Sequence, residues 1–332
     1  MKRILVTGAC GSIGSALVKK LINKKHTVCA FDHSEDGLFH IKNEYKEKET
    51  SSKLKIFIGD IRDQERLVQA MDKVDMVFHC AALKHVELSE YNPFEALQTN
   101  VNGTNNVVNA AIKCGVEKVL ITSSDKAVNP SSMMGATKLL AEKLAINANN
   151  MAGKDDIKIS CVRFGNVWNT SGSVGPIFRN QVTQGKNITL TSPDMTRFFI
   201  SIEDAIELCI KASEEMIGGE IFISDMGAAS IGDLAKEFQK MNSKVKIIET
   251  GLKAGEKLYE ELFTDVESFR TYALNEMYVI LPSSLDEHSS RYRKIKNKYK
   301  KGLPINSALR SDSDIAQSID LSNLVEDLMN EV

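Results

Sequence analysis

The sequence predicts an α/β protein with a doubly wound parallel sheet and a smaller C-terminal lobe, and three observations carry that expectation. Short apolar runs alternate with helical patterns through the first half of the 332 residues, as buried parallel strands covered by helices do. Gly8, Gly11 and Gly14 fall at the first strand-to-helix junction. Asp32 closes the second apolar run, where a doubly wound sheet places an acidic residue.

Taken in order, the apolar runs predict strands near 3–7, 27–32, 55–59, 74–79, 118–122 and 157–163. Helices are expected near 12–24, 35–47, 63–71, 93–114 and 132–150. The helices at 93–114 and 132–150 carry apolar residues on several faces, which suits core and dimer packing together. Past about residue 165 the rhythm loosens, leaving a helix at 202–216, a strand at 219–224 and a helix at 230–241. The remainder from 283 is polar and lysine-rich and ends in the amphipathic "LSNLVEDLMNEV", to which no role is assigned.

Composition narrows the function classes. Hydrophobic content of 42%, charged content of 26% and a formal charge of −2 describe an ordinary globular chain and argue against a general polyanion binder. The basic stretch "RYRKIKNKYKK" at 291–301 reads as a solvated helix face, not a nucleic-acid patch. No apolar run approaches the ~18 residues of a membrane span, and the apolar start ends in a glycine pattern instead of a leader, so a cytoplasmic protein is expected. The six cysteines are scattered and make no metal-type cluster with the six histidines, so no metal site is expected and the thiols read as small, reduced and buried.

"ILVTGACGSIGSAL" is the first site signal. Glycines at this junction allow the tight turn, let the backbone approach a pyrophosphate and aim helix N–H groups at its charge. Gly8, Gly11, Ser12, Ile13 and Gly14 are therefore cofactor candidates. Asp32 in "AFDHSE" is placed to bind an adenosine ribose hydroxyl, favouring NAD; it could instead cap the next helix, and His33 or Arg62 leaves NADP possible. Asp60 and Ile61 in "GDIRD" are placed to flank the adenine, Asp63 reads as a helix cap, and Ala81 and Ala82 follow the fourth strand. Residues 1–165 thus read as the NAD-binding domain, with segments around 195–225 returning to it; 166–282 form an interleaved substrate lobe and 283–332 an extension.

"TGACGSIG" resembles the glycine signature of extended short-chain dehydrogenase/reductases. "AALKHVELSEYNPFEALQTNVNGTNNV", "SSDKAVNPSSMMGATK", "RFGNV", "MTRFFIS" and "GLKAGEKLYEEL" look like the nucleotide-sugar 4,6-dehydratases that act on UDP-N-acetylglucosamine in bacterial glycan synthesis. The motifs run in the same order from residue 1 to about 265. Met134 stands where the usual catalytic tyrosine is expected, which, with "DHSE", looks like the catalytic domain of the large, membrane-anchored branch. Cys10 replaces a usual glycine, Lys253-Ala254 an Arg-Pro pair, and "WNTSGS" at 168–173 a "GSRGS"-like loop. The resemblance implies an extended Rossmann fold, NAD, a nucleotide-sugar substrate and a homo-oligomer.

It also implies roles. Lys126 is the expected base at sugar C5 and Asp125 the acid for the C6 hydroxyl, both just after the strand "KVLITSS". Lys126 must be neutral to act, and Lys138 with the nicotinamide is expected to lower its pKa. Without a tyrosine, Asp125 is expected to take the C4 hydroxyl proton and spend it on C6. Ser124 would bond the C4 oxygen, Lys138 the nicotinamide ribose, and Met134 would pack against sugar or nicotinamide. Asn100 resembles a residue that props the active-site helix. Lys84, His85, Asn166, Arg197, Lys253 and Glu256 are substrate-binding candidates, with surface ion pairing the plainer alternative. An epimerase sharing the C4 ketone, or an inactive NAD-responsive binding protein, are the competing functions.

Overall fold

Arg3–Thr7 (β1) is a run that can be buried on both faces, and it becomes an interior strand of the sheet, paired on both sides. The computed structural model describes residues 1–46, 51–151, 157–170, 172–283, 287, 289–313 and 316–330. Glu47 in the expected second helix, Ser171 in the 168–173 loop and parts of the 283–332 tail lie outside the described residues.

Helix α1 (Ser12–Asn23) follows, then β2 (Thr27–Asp32), α2 (Glu35–Glu44), β3 (Leu54–Ile58), α3 (Gln64–Ala70) and β4 (Met76–His79). Ser34 caps α2 by accepting from Gly37 N–H, and Asp63 caps α3 by accepting from Arg66 N–H. The expected 93–114 helix is preceded by α4 (Val86–Tyr91) and divides into α5 (Pro93–Ala96), a π-helical segment Leu97–Gly103 and α6 (Thr104–Lys113). Such a widened turn admits a side-chain bond that a regular helix would not place. Then come β5 (Lys118–Ser124), a 3₁₀ turn (Asp125–Ala127), α7 (Met133–Met151) and β6 (Lys158–Phe164).

The second half adds β7 (Asn166–Val167), α8 (Val174–Thr183), β8 (Ile188–Leu190), β9 (Thr196–Ile200), α9 (Ile202–Glu215), β10 (Ile221–Ser224), β11 (Ala228–Ser230) and α10 (Ile231–Met241). It ends with β12 (Ile247–Glu249), β13 (Glu261–Phe263), α11 (Asp265–Ser268), β14 (Thr271–Leu274), β15 (Met277–Ile280), α12 (Ser290–Tyr299), β16 (Leu303–Pro304), β17 (Leu309–Arg310) and α13 (Leu321–Asn330).

The main sheet has the order β16-β14-β15-β10-β6-β5-β4-β1-β2-β3. From β3 to β10 the pairs are parallel, with Ile4 opposite both Val28 and Met76; β15, β14 and β16 add antiparallel strands at one edge. Strand order reverses at β1 and β4, the place where such sheets open a ligand crevice beyond their carboxyl ends. A second core joins Phe178, Leu190, Leu234 and Phe238 to Val325 and Leu328 of α13. The amphipathic tail is therefore packed structure. Helix α12 is also more than a solvated face, because Ile295 and Tyr299 are buried and Arg291 bonds Asn149 and the Ile157 carbonyl.

Beneath the crevice lies a buried ion cluster. Arg163 on β6 donates to both oxygens of Glu142 on α7 at 2.9 and 2.6 Å, and to both of Glu267 on α11 at 2.9 and 2.9 Å. Charge-assisted, two-pronged bonds of this kind fix the angle between elements. They anchor α7, which carries Met134 and Lys138, to the sheet. Among the described residues no helix is long and apolar enough to cross a membrane.

Candidate active site

The chain turns sharply after β1 because Gly8 adopts φ +66°, a left-handed conformation open to glycine. A side chain at Gly14 is excluded for another reason: its Cβ would lie 2.0 Å from the Gly8 carbonyl oxygen. Helix α1 starts at this bend with no capping side chain and no acidic residue in its first turn. Its first N–H groups face a cavity of about 710 Å³ and its continuation of about 610 Å³, both lined by Gly8 and Gly11. Uncapped helix donors and a bare backbone fit a pyrophosphate.

Asp32 forms the next wall. It does not cap α2; its carboxylate accepts from Ser34 N–H at 3.0 Å and Cys10 N–H at 2.9 Å, binding the strand end to the glycine loop. Burial, with Asp32 beside it, pushes the Cys10 thiol up to about 12, so no thiolate faces the phosphate position. Asp60, Ile61, Ala81 and Ala82 line the same cavity. Arg62 reaches it too, but its guanidinium is paired with Asp60 at 2.6 Å and Glu95 at 3.0 Å. The cradle, the acidic strand end and the long cavity fit a dinucleotide.

The side chains expected to react follow β5. Ser124 ends the strand, its hydroxyl accepts from Lys126 N–H at 3.3 Å, and that bond winds residues 125–127 into the 3₁₀ turn. The turn brings consecutive side chains together. Ser124 Oγ donates to Asp125 Oδ1 at 2.8 Å, and Lys126 Nζ donates to the same oxygen at 3.0 Å and to Asn166 Oδ1 at 3.1 Å. Ser124 and Lys126 line the 610 Å³ cavity, while Asp125, 0% exposed, lies behind them with Oδ2 unbonded among the described residues.

One expectation is corrected here. Burial pushes the Lys126 amine down, but Asp125 and Glu260 outweigh it and hold the amine above the ordinary lysine value; the opposing cation is Arg197. Lys138, by contrast, is pushed down by burial. Its Nζ donates to the Thr122 carbonyl at 2.6 Å and lines the cavity beside Met134, which is 3% exposed. Asn100, in the π-helical segment, bonds Leu83 N–H and carbonyl and donates to Thr137 on α7, joining the Lys84–His85 loop to that helix.

A third cavity of about 470 Å³ continues from the second; Val86, Lys126, Asn166 and Gly172 line both. Here the substrate candidates separate. Lys84 and His85 line the two cofactor-side cavities, and Asn166 stands at the junction. Arg197 borders the third cavity but donates mainly to backbone, to Thr196 O at 2.7 Å and Lys257 O at 2.9 Å. Lys253 pairs at the surface with Glu87 at 2.9 Å, and Glu256 accepts from Lys253 N–H at 3.0 Å, so these two hold the loop as well as border the cavity. Sequence reasoning missed Glu260 and Lys257, both on this wall. The one available signal for Glu260 was a pair of acids, Glu260-Glu261, inside the otherwise apolar "KLYEELF".

A family model described as polysaccharide biosynthesis protein matches residues 4–282. The chain belongs to that family. The chain is 46% identical over 296 residues to an uncharacterized membrane protein of Methanocaldococcus jannaschii, covering 86% of this chain and 87% of the relative. It is 41% identical over 285 residues to an inverting UDP-N-acetylglucosamine 4,6-dehydratase of Campylobacter jejuni, covering 85% and 83%. It is 39% identical over 297 residues to a UDP-glucose 4-epimerase of Rickettsia canadensis, covering 88% and 86%. Among solved structures, Pen from Bacillus thuringiensis superposes with a TM-score of 0.88 at 37% identity, over 99% of this chain and 98% of Pen. A dTDP-glucose 4,6-dehydratase from Streptomyces venezuelae, solved with NAD, superposes with a TM-score of 0.69 at 21% identity over 77% and 86%, a likeness of fold. The family is one of nucleotide-sugar dehydratases and epimerases on an extended Rossmann fold.

Proposed function

We propose that this chain is an NAD-dependent nucleotide-sugar 4,6-dehydratase that converts UDP-N-acetylglucosamine to a 4-keto-6-deoxy sugar nucleotide. The observation that carries the reading is the Asp125–Lys126 pair, with Lys126 lining the cavity that joins the dinucleotide cradle to the third cavity and Asp125 directly behind it. C4 epimerisation uses neither a base at C5 nor an acid at C6, so an acid–base pair beyond the C4 site is explained by dehydration. Relatives named as 4,6-dehydratases at 41% identity support it, and the glycine cradle with Asp32 supports NAD.

NAD, when bound, supplies the hydride acceptor for C4 and the hydride donor for C6. The chain's own groups move the protons. Ser124 Oγ holds the C4 oxygen, and the proton lost there passes to Asp125, 2.8 Å away. The ketone acidifies C5–H, Lys126 removes that proton, and protonated Asp125 gives the C6 hydroxyl its proton so that it leaves as water. Lys126 then returns a proton to C5. Lys138 orients the nicotinamide ribose, and Met134 supplies an apolar wall where a phenol would otherwise stand. Asn166 positions Lys126, and Lys84, His85, Arg197, Lys253 and Glu256 surround the nucleotide-sugar.

UDP-glucose 4-epimerase names among relatives at 39% identity favour epimerisation as the second reading. Mass spectrometry of the product separates the two: dehydration yields a nucleotide-sugar lighter by one water, whereas epimerisation leaves the mass unchanged. The homo-oligomer proposal is supported by Leu88, Tyr91, Phe94, Leu140 and Leu144, apolar and exposed on α4, α5 and α7.

A further inference from the structure

Lys126 rests as a cation where the reaction requires an amine. Asp125 cannot relieve it of a proton and also accept the one from the C4 hydroxyl. A second acceptor stands on the same wall. Glu260, its side chain 4% exposed, has Oε1 3.7 Å from Lys126 Nζ and 3.9 Å from Arg197 Nε, and Oε2 3.7 Å from Lys257 Nζ. Its Oε2 is buried with no hydrogen-bond partner among the described residues. The backbone there is fixed, with Glu260 N–H donating to Ser311 Oγ and Ser311 N–H to the Glu260 carbonyl, each at 2.9 Å. An enclosed carboxylate with an unbonded oxygen is costly to keep charged, and a proton is what would relieve it.

We propose that Glu260 is the proton store of Lys126: it takes one proton from the ammonium before C5 is deprotonated and returns it when the cycle closes. The proposal rests on the dehydratase reading. Transfer from Nζ to Glu260 leaves a neutral amine beside a neutral carboxylic acid. The amine lone pair takes the C5 proton, the C5–H electrons form the C5–C6 double bond, and the C6–O bond breaks. The departing hydroxyl takes from Asp125 the proton that came from the C4 hydroxyl. Once C6 has been reduced, the ammonium gives its proton to C5 and the stored proton goes back from Glu260 to Nζ. Every group ends as it began, with no net proton drawn from solvent, while the protons on Nζ exchange with it. Glu260 thus acts through Lys126, as a positioning residue for a proton. The charged groups that face it are Lys126, Arg197, Lys257 and, behind Lys126, Asp125. Burial and Asp125 outweigh the three cations and raise its proton affinity, in the direction a store requires. The 3.7 Å gap closes to a hydrogen bond with a shift of about 1 Å, available to a lysine side chain that borders two cavities.

The test compares E260Q with the wild-type chain loaded with NAD. Single-turnover C4 oxidation, read as reduced-nicotinamide absorbance, is expected to be unchanged. In wild type, kcat for the dehydrated product is expected to be flat with pH around neutrality. In E260Q it is expected to fall about 10- to 100-fold near neutrality and to recover as pH rises, because hydroxide must then remove the Lys126 proton. A flat profile in E260Q, whatever its height, overturns the proposal. E260D, which keeps a carboxylate, is expected to restore the flat profile at a kcat lowered at least about threefold; an unchanged kcat there also overturns it, and this variant carries the test if E260Q does not fold. A wild-type chain that makes no dehydrated sugar defeats the dehydratase reading, and a separate readout then decides the proton link. In protein labelled with ¹³C at lysine Cε, with Lys126→Gln assigning the resonance, the Lys126 midpoint is expected to fall in E260Q; an unchanged midpoint overturns the proposal.

Discussion

Lys126 Nζ stands 3.0 Å from Asp125 Oδ1, a buried ion pair between two consecutive residues. Neighbours in an extended strand would point to opposite faces. Here the 3₁₀ turn closed by Ser124 brings the two side chains together, Lys126 lining the cavity and Asp125 buried behind it. The two side chains form one ion pair, and each can be removed separately.

Asp125→Asn keeps the shape of the turn and removes the proposed proton acceptor. NAD affinity is expected to stay within about threefold of wild type, while C4 oxidation falls roughly 10²–10⁴-fold. Reduced-nicotinamide formation in a single turnover reads it, and normal oxidation would refute the shared proton.

Lys126→Ala removes the proposed C5 base but leaves Asp125 and the cradle. C4 oxidation should persist with loss of most 6-deoxy product, and deuterium from solvent should no longer enter C5. Exchange at C5 at the wild-type rate would assign that step to another group.

Asp32 bears on cofactor choice. Its carboxylate binds Ser34 and Cys10 N–H groups and faces the long cavity, so a 2′-hydroxyl suits it and a 2′-phosphate is repelled. Asp32→Ala should weaken NAD about tenfold or more, the worth of a hydrogen bond to a charged group, and weaken NADP less. Calorimetry with both cofactors checks it; equal losses would leave only loop ordering.

The Arg163 cluster sets a pH dependence of stability. Burial pushes the Glu267 carboxyl up, but Arg163 outweighs it and holds the group at about 2, below the ordinary 4.5. A carboxyl depressed on folding contributes its stability above about 4.5, and that stability is lost as pH falls toward about 2. Glu267→Gln should cost about 3–5 kcal/mol at neutral pH, with the gap to wild type narrowing as pH falls below 5. Urea midpoints at several pH values measure the gap; a constant difference would mean that charge is not its source.

The sheet was legible because its strands are apolar on both faces, and runs such as "ILVT" and "KVLITSS" have few other uses. The break at 97–103 was not: Asn100 turns inward only because Leu83 and Thr137 are there to receive it, and they are distant in sequence. Residues 125 and 126 were legible from their place after β5 together with the family resemblance. The charge state of Lys126 was not legible, since it depends on Asp125 and also on Glu260, brought from more than a hundred residues away. Arg197 and Lys253 read alike in sequence as phosphate ligands, yet one is bound to backbone and the other to Glu87 at the surface. The tail's amphipathic end announced a docking face, but not that Val325 and Leu328 would complete the second core.

The most direct measurement is NMR of UDP-N-acetylglucosamine incubated with the NAD-loaded protein in deuterated water, following C4, C5 and C6. The expected result is a C4 ketone, or its hydrate, with a C6 methyl and deuterium at C5. Inversion at C4 with C6 still bearing its hydroxyl and C5 still protonated would contradict the account.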